Sequence, residues 1–116
     1  MNNLDERKNR YLRDPLPIRL GGLAANLARV KSFSMLTANA SAVFDLFEES
    51  KFFIEWTAAD VDVSTTEQLV DLQLQIAVWQ RNWGSIWPDE ARRSEMALSS
   101  LEWSNRVIVS SGLLDQ

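Results

Sequence analysis

Apolar residues recur along most of this chain at alternating steps of four and three, the spacing of one face of an α-helix. Leu16, Leu20, Leu23, Leu27 and Val30 follow it first. Ahead of them Asp14-Pro15 supplies a capping residue and a proline for the first turn. A helix is therefore predicted over 16–36. Gly21-Gly22 lies within it and costs about 1 kcal/mol per glycine in helix propensity. Either the helix kinks at the pair or it begins after it. Gly21, Ala25, Ala28 and Ser32 run along the other side, small enough for a second backbone to lie close.

The same rule marks three more helices. One covers 40–58, with Val43, Leu46, Phe47, Phe53 and Ile54 on one side. In "VDVSTTEQLV" Ser64 and Glu67 have the spacing of a capping box. The helix they open runs to about 83 and turns Leu69, Leu72, Ile76, Trp79 and Trp83 inward. Gly84 is the expected stop. Trp87-Pro88 then opens the last helix, with Asp89 and Glu90 matching its positive N-terminal end. Ala91, Leu98, Leu101, Asn105 and Ile108 are its expected inner face, and Ser111-Gly112 its end. If buried, Asn105 would fix the register of the packing. No run alternates with a period of two over enough residues to make a strand. The predicted architecture is all-α, an antiparallel four-helix bundle of up-down-up-down order over 14–116, preceded by a mobile basic arm, 1–13.

Three of these helices carry a second apolar stripe. On the 40–58 helix Phe52 and Trp56 lie opposite Val43 and Ile54, ringed by Asp45, Glu48, Glu49 and Glu55. Val70, Leu74 and Val78, with Ala77 alongside, lie opposite the tryptophans of the third helix, and Met96, Trp103 and Val107 oppose Leu101 on the fourth. One four-helix core does not easily cover both sides of every helix. A second copy of the chain is the favoured cover, which makes the expected protein a homodimer with these eight residues at its interface. The alternatives are a central helix wrapped by the others, cover from the arm and loops, and a different protein partner. Trp79, Trp83 and Trp87 stand four residues apart in "WQRNWGSIWP". Trp79 and Trp83 belong to the core stripe, and Trp87 joins them if the helix continues past Gly84 or packs as a staple if it stops there. The competing use of all three is the wall of a ligand pocket between helices.

Charge changes this picture at one end. Residues 1–31 carry seven bases against three acids, and the remaining residues carry five against thirteen. The basic first quarter is expected to lie against the acidic remainder, in its own chain or a neighbour's. "ERKNRYLRDP" interleaves bases with Tyr11, so contact with nucleic acid through the arm is a further alternative, opposed by a net charge of −4.

Composition then narrows the chemistry. There is no cysteine and no histidine, which removes disulfides, thiolate nucleophiles and the commonest general base and metal ligand. Gly21-Gly22 lacks the lysine and hydroxyl residue of a phosphate loop, no calcium-loop motif occurs, and the acids at 45, 48 and 49 read as a solvated face. Ser50 adjoins Lys51, but neighbours in sequence point to different sides of a helix. No catalytic, cofactor or metal residue is assigned, and the chain is not expected to be an enzyme. The opening "MNNLDERKNR" has no apolar run, and no stretch approaches a membrane span, so a soluble cytoplasmic protein is expected.

Two segments, "RLGGLAANLARVKSFS" and "EESKFFIEWTA", resemble stretches in small helical proteins of unknown function from cyanobacteria. The resemblance implies an all-helical fold and carries no activity, cofactor or site residue. The function expected from the sequence is a non-enzymatic interaction or scaffolding module that acts as a homo-oligomer.

Overall fold

The computed structural model describes residues 3–115, and every regular element among them is helical. Six α-helices follow in order: α1 (Asn3–Arg13), α2 (Leu16–Phe33), α3 (Ala40–Thr57), α4 (Val63–Arg81), the single turn α5 (Trp83–Ile86) and α6 (Glu90–Ser111). Short 3-10 turns at Thr37–Asn39, Ala58–Asp60 and Leu113–Asp115 link or end them.

The leucine stripe of α2 explains its position. Leu20, Leu23, Leu27 and Val30 are all buried, and α2 packs along α6 on one flank and α3 on the other. The helix runs through Gly21-Gly22 without a break. At Gly21 a Cβ would lie 2.8 Å from Leu113 Cδ1, so that side chain would have to move aside, whereas at Gly22 nothing lies within 4 Å.

The face that α6 turns toward α2 differs from the expected one. Met96, Ala97, Ser100, Ser104, Val107 and Ser111 are buried. Leu98, Ala91 and Asn105 face solvent, so Asn105 fixes no buried register, and Leu101 and Ile108 are half-buried. The physical reason is the size of the serines. Ser100 and Ser104 are small enough to bring α6 against the α2 backbone, where their hydroxyls donate to Leu27 O (2.8 Å) and Ala24 O (2.7 Å). Each buried hydroxyl thereby recovers the hydrogen bond that it loses on leaving water.

The helix ends also depart from the expected caps. At the start of α4 the cap is Asp62 rather than Ser64, its carboxylate accepting from the Thr65 amide at 3.1 Å. Hydrogen bonding from the Thr65 side chain, with the Thr65 amide, holds the Asp62 carboxyl below its usual pKa, and the cap places negative charge at the positive end of the helix. Asp89 caps α6 in the same way through the Arg92 amide. Gly112 ends α6 with φ of 77°, a left-handed conformation that glycine adopts without a Cβ clash.

Residues 3–13, expected as a mobile arm, form α1 and dock against α3. Tyr11 is the anchor. Its ring stacks on Phe53 with centroids 4.1 Å apart, and its hydroxyl donates to Arg19 O at 2.9 Å. Thr57 completes the phenol's hydrogen bonding at 3.1 Å. Arg7 pairs with Glu49 at 2.6 Å, and Arg19 pairs with Asp60 at 3.1 Å. Basic residues from the first quarter thus meet acids of the same chain.

Two measurements test this packing. Gly22→Ala adds a methyl group to open space within a helix, so stability rises by about 1 kcal/mol and the melting temperature by about 4 °C. Ser100→Leu forces α6 away from α2 and lowers stability by about 2 kcal/mol in urea titration. A third concerns the single tyrosine. Burial, opposed by the Thr57 hydrogen bond, raises Tyr11 from 10.0 to about 12. Between those values the unfolded chain has lost a proton that the folded chain keeps, so the stabilisation is complete below pH 10 and declines as pH approaches 12. Ultraviolet titration of the phenolate should show the late midpoint, and Tyr11→Phe should remove this contribution to the alkaline decline.

Candidate interaction surface

Helix α4 has two apolar faces, and the chain uses one of them. Leu69, Leu72, Ile76 and Trp79 point into the core. On the opposite side Val63, Val70, Leu74 and Val78 are 75%, 43%, 62% and 52% exposed, and Ala77 is exposed beside them. At about 100° per residue, Val70, Leu74 and Ala77 fall within one narrow stripe. Glu67 and Arg81 stand seven residues to either side of Leu74 in that stripe. Both are exposed, and neither makes an ion pair or side-chain hydrogen bond among the described residues. A shallow groove of about 300 Å³ on this face is lined by Val63, Thr66, Glu67, Val70 and Asp71.

The other two expected stripes are largely taken up by the chain itself. Met96 and Val107, expected at an interface, are 2% and 1% exposed and belong to the core. Trp103 is half-buried against that core, with the Arg106 guanidinium 4.7 Å above its ring. Phe52 and Trp56 stack on each other at 5.5 Å and are half-buried. Tyr11 lies 5.8 Å from Trp56, so α1 covers one side of this aromatic pair. Of the eight expected interface residues, Val70, Leu74 and Val78 are the ones more than a third exposed. Exposed apolar side chains elsewhere include Met35 and Leu36 in the α2–α3 connection.

The three spaced tryptophans stay with the core. Trp79 and Trp87 are buried and Trp83 packs against them from the edge. Trp83 stacks on Trp87 at 5.2 Å and meets Phe44 edge-on at 5.4 Å, while Trp79 lies 5.2 Å from Phe47. The Trp87 indole N–H donates to Thr37 O at 2.9 Å, leaving it no free donor for a ligand. A hollow of about 260 Å³ where α4, α5 and α6 meet takes in Trp79 but not Trp83 or Trp87.

Beside Phe52, charged groups of α3 pair within the chain. The Lys51 ammonium donating to Glu48 at 2.9 Å, with help from Gln80, holds the Glu48 carboxyl below its usual range. Among the described residues no three acidic side chains converge as a metal site requires. No helix among them is long and apolar enough to cross a membrane.

Glu67, expected in a capping box, shares this exposed face with Arg81, and their equal heptad spacing from Leu74 is a pattern the sequence carries. Comparison of the chain with family models, with curated proteins and with solved structures finds no match.

Proposed function

We propose that this chain is a non-enzymatic protein-interaction module that acts as a homo-oligomer, most simply a dimer. The observation that carries the reading is the outward stripe of α4, where Val70, Leu74 and Val78 remain exposed directly opposite a complete core face. Water exposure of aligned apolar side chains is unfavourable, and burial against a partner recovers about 25 cal/mol for each Å² covered. The four long helices, α2, α3, α4 and α6, are read as an antiparallel up-down-up-down bundle. Their short connections support that order, since a helix joined by a few residues returns beside its predecessor. Such a bundle is a rigid platform on which α4 presents its outer face. The absence of histidine and cysteine from the sequence supports a binding rather than a catalytic role.

Solution mass tests the reading. Light scattering over a concentration series should show the mass rising from 13.2 kDa toward twice that value. A single-chain mass persisting to about 1 mM, where even a complex worth about 4 kcal/mol would be populated, overturns self-association.

A further inference from the structure

The outward face of α4 has a symmetry of its own. Taking Leu74 as centre, Val70 and Val78 lie four residues to either side, and Glu67 and Arg81 lie seven to either side. We infer that α4 pairs with α4 of a second copy in antiparallel orientation, across a two-fold axis at Leu74, with Glu67 of each copy facing Arg81 of the other. This rests on the self-association reading above and specifies its interface.

In that arrangement each residue faces the one equally distant on the other side of the centre. Leu74 meets Leu74 of the second copy, Val70 meets its Val78, and both charged positions meet their opposites. A two-fold contact of this kind uses one patch twice, so both ion pairs form together. Parallel pairing of the same helices would set Glu67 against Glu67 and Arg81 against Arg81, an arrangement that like-charge repulsion disfavours. Antiparallel pairing also sets the helix dipoles head to tail.

The groove suits an incoming arginine. Its lining combines the apolar Val63 and Val70 with two carboxylates, those of Glu67 and Asp71. An arginine lays its apolar stem along such a lining while its guanidinium reaches the carboxylates. Among the described residues Arg81 has no ion-pair partner that would have to be given up first.

Size sets the expected strength. From 67 to 81 the helix advances about 21 Å. A seam of that length covers on the order of a few hundred Å² per copy, below the roughly 800 Å² per partner of stable complexes. The dimer is therefore weak and concentration-dependent, and its exposed ion pairs make it weaker in high salt.

Sedimentation velocity on the full chain and four variants tests the seam, with circular dichroism confirming that each is helical. Leu74→Glu brings two carboxylates together at the axis and should raise the dimer dissociation constant by more than about tenfold. Glu67→Arg and Arg81→Glu each convert two attractions into two repulsions and should raise it by about tenfold. The double variant Glu67→Arg/Arg81→Glu restores opposite charges across the seam and should return to within about threefold of the native value. A native dimer indifferent to Leu74→Glu would place the contact on another face, overturning the seam while self-association stands. Failure of the double variant to recover would overturn the antiparallel pairing. A native chain that stays monomeric would remove the broader reading together with the seam.

Discussion

The fold depends on how closely α6 approaches α2. Two helices whose facing side chains are leucines stand roughly 10 Å apart, but here Ala24, Ala97, Ser100 and Ser104 line much of the contact and bring the backbones closer. Serine at such positions adds little apolar burial. It does make a direct tie to the opposing main chain, with a geometry that tolerates neither a larger residue nor a sideways slide. Because α2 is held so firmly on this flank, its leucine edge can face α3 and the rest of the core. The remaining helices are arranged around that pair.

This contact also accounts for the uneven success of sequence reasoning. Helices α2, α3 and α4 obey the rule that large apolar residues at helical spacing point inward, and Leu27, Phe47 and Ile76 are buried as expected. Helix α6 departs from it. The residues that look inward by size, Leu98 and Leu101, lie outside or at the rim, while serines that look solvent-facing are buried. Hydropathy does not distinguish a serine that will hydrogen-bond a neighbouring carbonyl from one that will face water. The error at α6 also placed Met96 and Val107 on an outer face when they are part of the core.

The candidate interface was legible to the extent that it follows spacing on a single helix. Val70, Leu74 and Val78 oppose Leu69, Leu72 and Ile76 by arithmetic alone, and they are exposed. Phe52 and Trp56 were harder, because their cover comes from residues forty or more positions away. Tyr11 reaches Phe53, Trp56 and Thr57 only after the chain has folded back upon itself. The charge imbalance between the first quarter and the remainder hinted at that return, and Arg7 with Glu49 realises it within one chain. Helical structure at 3–13 was not legible from apolar spacing, since Leu4, Tyr11 and Leu12 are the segment's only apolar residues.

The stacked pair Trp83 and Trp87 has a practical consequence. Their indoles lie stacked and nearly parallel at the junction of α4 with α6, fastened through Thr37 to the α2–α3 connection. Electronic transitions in rings so close and so fixed couple, giving the native state an optical signature that vanishes when this corner opens. Trp87 is buried and Trp83 packs at the edge of the core. The near-ultraviolet dichroism of the tryptophans is therefore a gauge of whether the folded chain is intact at this corner.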